Sequence, residues 1–269
     1  MNFKYHINGN TTLYGCIASP TRHVRAPSLF NSFFIENNIN SVMVPIEVDS
    51  DDLEHVIKGL KSIKNFRGLA VTIPHKLTLA KHCDFLGDGA QATGAVNIVK
   101  FDKNGEIHGE NFDGEGFVQG LIGEGYMLEN KKILLLGAGG AARGIAVSLS
   151  KKNIHSLDVK NRSKINVLKL IDIYKKFSKK NNIFIQESIN IDFTKYDIVI
   201  NSTSLGLSEN DALPIDPQKL KNNCLICEII MKPEKTKLVK KSLNRNLDVH
   251  LGKHMLDYQF KLMKEFFLN

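Results

Sequence analysis

"ILLLGAGGAARG", residues 133–144, decides the fold. Four branched aliphatic residues run straight into glycines, the way a buried parallel strand ends in a tight turn that opens a helix. Gly137-Ala138-Gly139-Gly140-Ala141-Ala142 matches G-x-G-x-x-G/A in that strand, turn and helix context. Gly137 allows the turn, Gly139 lets backbone approach a pyrophosphate, and Ala142 keeps helix and strand close. The amides that begin the helix, at Gly140 and Ala141, then serve as phosphate donors. A glycine turn alone is compatible with mere tight packing; its place between strand and helix points to a dinucleotide.

The tip of the second strand, about 20 residues on, distinguishes the two nicotinamide dinucleotides. There the chain reads "DVKNRS", residues 158–163. An acid at the tip would bond a ribose 2′-hydroxyl and repel a 2′-phosphate, whereas Asn161-Arg162-Ser163, flanked by Lys160 and Lys164, favours NADP, with NAD as the alternative. Asp158 comes three residues early and reads as a solvent-facing residue of an edge-like strand.

Working outward, strand and helix alternate, the pattern of a parallel sheet with crossover helices. Beyond residue 113 the strands "HSLDVKN", "NIFIQES", "YDIVINSTS" and "CLICEIIM" come after the glycine turn, and an amphipathic helix over "GKHMLDYQFKLMKEFFLN" closes the chain. Before it come "TLYGCIAS" as strand, "PSLFNSFFIENN" as helix with Pro27 in its first turn, and "SVMVPIEV" as strand. A helix begins at Asp51, where Asp51 and Glu54 resemble a capping box. "GLAVTIP" is a strand leading into a helix over "HKLTLAKHCDFL", and "AVNIVKFDKNGEIHGENF" is a hairpin about Asn104-Gly105.

Composition excludes several classes. With 42% hydrophobic and 24% charged residues the chain is neither disordered nor membrane-spanning, and "MNFKYHING" lacks the apolar core of a leader, which points to the cytoplasm. Its net charge of +8 is spread over segments such as "KKFSKK" without interleaved aromatics, so no nucleic-acid partner is expected. Cys224 and Cys227 lie in an apolar strand, where three-residue spacing turns the sulfurs to opposite faces; both are expected buried and reduced. The histidines show no metal-ligand spacing.

Further signals sit in the first half. Lys76 ends "VTIPHK", residues 71–76, just past a strand, where partial desolvation suits a lysine to proton transfer, although a lone lysine there also reads as a surface residue. Asn97 in "GAVN" and Asp113 in "NFDGEGF" stand at the two ends of the hairpin, Asp113 reading equally as an N-cap.

In order and spacing, "VTIPHK", "GAVN", "NFDGEGF", "LLGAGGAAR", "NRS", "INSTSLGL", "PEKTKL" and "GKHMLDYQ" resemble the shikimate and quinate/shikimate dehydrogenases over nearly the whole chain. The resemblance implies an α/β fold: an N-terminal substrate domain over residues 1–112, a Rossmann-type doubly wound domain over 113–250, and a C-terminal helix over 251–269 returning to the substrate domain. It implies Lys76 and Asp113 as the catalytic pair, Thr72, Asn97 and Gln259 as substrate ligands, and Arg162 at the 2′-phosphate. Asn201 to Gly206, with Thr203, would form the loop near the nicotinamide, and Gly252 would open the last cofactor motif. The implied reaction is reversible hydride transfer between shikimate, or a related cyclic hydroxy acid, and NAD(P), by a monomer or homodimer acting on a small molecule.

The family's usual "HSLSP" is "HVRAP" here, so Val24 and Ala26 replace two carboxylate-binding serines. Phe112 stands for a threonine and Met231 for a tyrosine. Arg25, between the missing serines, or Arg22 is the expected replacement anion ligand, with a simple surface role as the alternative for Arg25. These departures leave open a paralogue acting on quinate or another cyclic alcohol, or a dinucleotide sensor without catalysis.

Overall fold

A computed structural model describes residues 7–22, 24–178, 182–185 and 192–268 of the protein. Outside them lie His23, the first six residues of the segment read for a leader, the last residue of the closing helix, and the far end of the strand expected over 182–188. The chain divides into two compact units, residues 1–112 with 262–269 and residues 113–261.

The first unit is a six-stranded mixed sheet. Its strands are β1 (Thr12–Ala18), β2 (Ser41–Glu47), β3 (Phe66–Val71), β4 (Phe85–Leu86), β5 (Ile98–Phe101) and β6 (Ile107–Glu110). They lie in the order β2-β1-β3-β5-β6-β4. β1 runs parallel to both β2 and β3, while β5 is antiparallel to β3 and to β6. Helices α1 (Ala26–Glu36), α2 (Leu53–Lys61), α3 (Lys76–Ala80) and α4 (Asp88–Thr93) connect them. Ile17, Leu69, Val71 and Val99 of the strands bury against Leu53, Ile57 and Leu79 of the helices. On the other face Tyr14 meets Phe34 at 5.5 Å and Phe267 at 4.6 Å, and Phe30 meets Phe267 at 5.3 Å.

Two local expectations are corrected. α2 is capped by Asp52 without a side-chain bond, so Asp51 and Glu54 form no capping box. A turn bond from Asp52 N–H to Asp49 C=O delays the helix, and Glu54 pairs with Lys58 at 2.8 Å instead. The helix expected over residues 75–86 stops at Ala80. Asp84 is drawn into the sheet, its N–H donating to Ile107 C=O and its Oδ2 accepting from Ile107 N–H, so 85–86 become the strand β4. The β5–β6 hairpin forms, with Gly105 at φ +80° in its loop.

The second unit is a wholly parallel sheet. Its strands are β7 (Lys132–Leu136), β8 (Ser156–Lys160), β9 (Ile183–Ile185), β10 (Ile198–Asn201), β11 (Leu225–Glu228) and β12 (Val249–His250). Helices α5 (Asp113–Gly123), α6 (Gly140–Ser150), α7 (Lys164–Phe177), α8 (Lys237–Leu243) and α9 (Lys253–Leu268) accompany them, α9 being divided between the units after residue 261. The order β12-β11-β10-β7-β8-β9 reverses between β7 and β10, the doubly wound dinucleotide order. Successive strand residues alternate between two cores. Ile133, Leu135, Leu157, Val159 and Cys227 pack on one face with α5, α6 and α7, while Leu134, Leu136, Val199 and Cys224 pack on the other with Leu238 of α8. The two cysteines are therefore buried on opposite faces, and both are free thiols. α5 and α6 touch at their glycines, since a Cβ on Gly114 would collide with Gly144 backbone.

Asp158 is not solvent-facing. β8 is flanked by β7 and β9, and alternation turns Asp158 into the second face, where it accepts hydrogen bonds from Tyr196 Oη at 2.6 Å and Lys195 Nζ at 2.9 Å. Among the described residues no helix is long and apolar enough to cross a membrane.

His250 of β12 is 1% exposed and neither ring nitrogen has a hydrogen-bond partner among the described residues. Its ring meets the edges of Phe117 and Tyr126 and stacks on His254 at 5.1 Å. Burial, then the charge of His254, lowers its pKa to about 4. The unfolded chain takes up this proton near the ordinary histidine value and the folded chain resists it. This contribution to stability is thus complete above about pH 6.5 and is lost as the pH falls towards 4, reaching about 3 kcal/mol. Urea midpoints across that window should fall more steeply in the wild type than in His250→Leu; parallel slopes would contradict the assignment.

Candidate active site

In the first unit the chemistry-bearing residues gather at one end of the sheet. Ile17 of β1 pairs with Val71 of β3, and Ala70 pairs with Ile98 of antiparallel β5. The carboxyl ends of β1 and β3 thus share an edge with the start of β5 and the end of β6, as the rule for ligand sites on parallel strands requires. Thr72 leaves β3 there, its N–H bonded to Ile17 C=O and its C=O accepting from His75 N–H. His75 is buried with Nε2 on Val48 C=O at 2.8 Å, a structural anchor beside Lys76. Lys76 begins α3, partly buried, and its C=O accepts from Val96 N–H at 3.0 Å. The next residue, Asn97, is 2% exposed; its backbone joins Val71 and Glu110, and its Oδ1 accepts from Phe112 N–H at 3.1 Å. A continuous ladder of main-chain and amide bonds therefore holds Lys76, Asn97 and Phe112 in register.

The arginine-rich turn leaves the same end of β1. Glu47 at the end of β2 accepts from both the N–H and hydroxyl of Thr21 at 2.7 Å. Those bonds, with Arg22 nearby, hold its carboxyl below the usual range. Arg22 is thus engaged with Glu47. Arg25 caps α1 by position only: its C=O accepts from Leu29 N–H and from Ser28 Oγ. Its exposed guanidinium has no hydrogen bond or ion pair among the described residues. Phe112 meets Phe266 edge to face at 5.8 Å.

In the second unit, Asp113 is the first residue of α5, and Gln259 of α9 donates from Nε2 to its Oδ1 at 2.5 Å. Gly116 makes this possible, because a Cβ there would lie 2.8 Å from Met255 C=O and 3.0 Å from Gln259 Cβ. Gln259 thereby orients the carboxylate.

The glycine turn separates into two kinds of glycine. Gly137 has φ +108°, and a Cβ would sit 2.7 Å from Ser202 Oγ, so folding itself demands glycine. Gly139 at φ −79° and Gly140 in the helix have conformations open to any residue and nothing within 4 Å of a Cβ. Nothing in the protein requires glycine there, whereas a group lying against the backbone would. Ala138 is buried in the core and Ala141 follows at the helix start. The first turn of α6 has no acid and no side-chain cap, leaving its amides for an anion. Arg143, which sequence reasoning left unassigned although it ends "GAGGAAR", adds a guanidinium whose buried Nε has no partner among the described residues.

The tip of β8 is cationic. Asn161 donates from Nδ2 to Ser163 C=O, Ser163 begins α7 without a capping bond, and Arg162 is exposed between them. Asp158, the acid of this strand, is committed to Tyr196 and Lys195. Glycine openness, an orphaned guanidinium nitrogen and a cationic tip together fit a dinucleotide carrying an extra phosphate.

The 201–206 loop is rigid by hydrogen bonding. Asn201 is fully buried, and its Oδ1 accepts from Thr203 N–H and Oγ1, which in turn accepts from Leu205 N–H. Gly252 has no room for a Cβ, since Ile229 C=O would be 2.6 Å away. That close approach is a packing reason for the glycine opening the last motif.

The chain is similar to known proteins over nearly its whole length. Residues 16–99 match the shikimate dehydrogenase substrate binding domain, and residues 122–210 match shikimate / quinate 5-dehydrogenase. A shikimate dehydrogenase (NADP(+)) of Methanosphaera stadtmanae is 37% identical over 258 residues, covering 93% of this chain and 89% of the relative. The crystal structure of shikimate 5-dehydrogenase from Listeria monocytogenes, in complex with shikimate and NAD, is similar at a TM-score of 0.87 and 27% identity, covering 98% of this chain and 94% of that one. The ligand-free 5-ketofructose reductase of Gluconobacter sp. strain CHM43 is similar at a TM-score of 0.85 and 25% identity, covering 97% and 94%.

Gly137 and Gly139 should respond differently to alanine. Gly139→Ala should leave the melting temperature within about 2 °C, because a conformation already open to alanine tolerates it. It should nevertheless weaken NADP at least about tenfold by crowding the pyrophosphate. Gly137→Ala should lower stability by about 1–3 kcal/mol from strain. Thermal melts and cofactor titrations on both variants check this, and unchanged affinity in Gly139→Ala would remove the phosphate assignment.

Proposed function

The chain belongs to the shikimate dehydrogenase family, and from that premise we propose that it interconverts shikimate and 3-dehydroshikimate by hydride transfer with NADP. The observation that carries the reading is the gathering of Thr72, Lys76 and Asn97 at one sheet end by the ladder through Val96 and Phe112. NADP is preferred to NAD because Arg162 stands at the tip of β8 and the nearest acid, Asp158, is occupied elsewhere. Gly137 to Ala141 with Arg143 would hold the pyrophosphate, Asn161 to Ser163 the adenosine side, and Thr203 and Gly252 would line the nicotinamide end. When bound, the dinucleotide supplies a ring carbon that accepts or returns a hydride.

The protein's own residues handle the substrate and its proton. Asn97, Thr72 and Gln259 fix the hydroxylated ring. As the carbinol C–H bond breaks and its electron pair leaves with the hydrogen, the hydroxyl proton passes to the neutral Nζ of Lys76, leaving a carbonyl; in reduction the ammonium returns it. Asp113, itself oriented by Gln259, helps to orient the same hydroxyl. Arg25 takes the substrate carboxylate in place of the serines absent at Val24 and Ala26, where a guanidinium can bind both oxygens. The protein would act in the cytoplasm as a monomer or homodimer, without nucleic acid.

A second reading has its own support. Val24, Ala26, Phe112 and Met231 are apolar where the family usually has hydroxyls. Quinate or another cyclic alcohol less dependent on those donors is the alternative substrate.

Turnover with shikimate, quinate and neutral cyclic alcohols, with NADP and NAD, tests these assignments. Lys76→Ala should lower kcat for the preferred substrate by about 10²–10⁴-fold with little change in KM. Arg25→Ala should raise KM for shikimate by about ten- to a hundredfold and leave neutral alcohols unaffected. An unchanged KM for every acid would eliminate the guanidinium assignment, and full turnover by Lys76→Ala would eliminate its role as proton acceptor. Arg162→Ala should raise KM for NADP selectively; an equal rise with NAD would contradict 2′-phosphate recognition.

A further inference from the structure

Glu228 ends β11 and is completely buried. Among the described residues no cation lies within ion-pairing distance of it. Instead donors converge on both oxygens: Asn201 Nδ2 on Oε1 at 3.1 Å and on Oε2 at 3.0 Å, Ile230 N–H on Oε1 at 3.1 Å, and Thr236 Oγ1 on Oε2 at 2.9 Å. Thr236 Oγ1 also accepts from Val239 N–H, which directs its own proton to Glu228. An arrangement made of donors is satisfied by an ionised carboxylate, and a protonated one would bring a hydrogen into it. Burial pushes the Glu228 pKa upward while these donors restrain it. An ionised carboxylate here is therefore an unneutralised charge inside the protein, an arrangement that ordinarily costs stability.

Its position gives that charge a use. Glu228 pairs with Asn201, and Asn201 with Leu136, the residue before the glycine turn. With adjacent strands about 4.8 Å apart, the end of β11 lies about 10 Å from the end of β7. A dinucleotide whose pyrophosphate rests at the switch point and whose adenosine reaches the tip of β8 extends its other half toward β10 and β11. The ring in that half is a cation when oxidised and neutral when reduced.

We propose that Glu228 is a positioning residue that braces the 201–206 loop and, as a fixed buried anion, weights dinucleotide binding toward the oxidised form. This rests on the dinucleotide reading above and adds a preference between its redox states. The hydrogen bonds act on both forms alike, whereas the charge acts on the oxidised form alone. Removing the charge must therefore change the ratio of the two dissociation constants, which a purely structural brace would leave constant.

Dissociation constants for NADP+ and NADPH, measured by titration calorimetry on the wild type, Glu228→Gln and Thr236→Val, provide the test. Glu228→Gln should weaken NADP+ on the order of tenfold while changing NADPH less than about threefold. Thr236→Val, which keeps the carboxylate but removes a donor and the α8 cap, should change both constants by the same factor. Equal factors in Glu228→Gln, or unchanged constants, would overturn the inference. So would a shifted ratio in Thr236→Val, which keeps the test decisive if Glu228→Gln does not fold. A wild type that binds no nicotinamide dinucleotide would remove the dinucleotide reading and this inference together, whereas intact binding with an unmoved ratio removes the inference alone.

Discussion

A missing methyl group organises the second unit. Any side chain at residue 137 would have to occupy a left-handed conformation and meet Ser202 Oγ at 2.7 Å. Because glycine avoids both, Gly137 N–H reaches Lys160 C=O at 2.8 Å while Ser202 Oγ and N–H both bond Leu136 C=O. The ends of β7, β8 and β10 are thereby tied at one point. That knot fixes its neighbouring segments in space: α6 starts with open amides, the β8 tip stands beside it, and the 201–206 loop leaves from the other side. Strand-end geometry, rather than any large contact area, brings these elements to one end of the sheet.

The first unit reaches a similar result through an amide. Asn97 is almost wholly buried, and its backbone completes the sheet between Val71 and Glu110 while its side chain holds Phe112 N–H. Phe112 packs on Phe266, and the turn carrying Val24 and Ala26 is held by Glu47 and Asp49, the latter bonded to Ser19 Oγ at 2.9 Å. The supports of Lys76 and Asn97 run through main chain, so they do not depend on which side chains stand at residues 24, 26 and 112.

What was legible in the sequence was local or periodic. The glycine turn stems from the short-range demands at Gly137, and the opposite burial of Cys224 and Cys227 from strand alternation alone. Two of the failures share a cause, which is a partner distant in sequence. Asp158 looked exposed because Tyr196 and Lys195, 38 and 37 residues on, were invisible as its donors. The helix expected to reach residue 86 ended because Asp84 bonds Ile107, 23 residues away. Arg143 carries no distinguishing signal in the sequence, and the isolation of its buried Nε among the described residues is visible only in the fold. Residue type and spacing located the candidate groups; only long-range contacts revealed which of them were already occupied.

The second unit handles its buried acids in two opposed ways. Asp158 is neutralised, with Lys195 at 2.9 Å sharing its oxygen with a tyrosine hydroxyl, and that tyrosine's pKa is driven up by burial and by the bond itself. Glu228, one strand beyond β10 and at the opposite ends of the strands from Lys132, receives neutral donors only. Neutral donors lower the cost of burying a carboxylate but leave its long-range field intact, whereas a bound lysine cancels it. If the fold needed these acids only as braces, the two solutions would be interchangeable. The neutralised acid lies against Tyr196 of the second core, and the one surrounded by neutral donors stands at the carboxyl ends of the strands, where doubly wound sheets receive ligands. A lysine beside Glu228 would satisfy the brace and abolish the field, so the proposed redox preference depends on where the counter-charges lie.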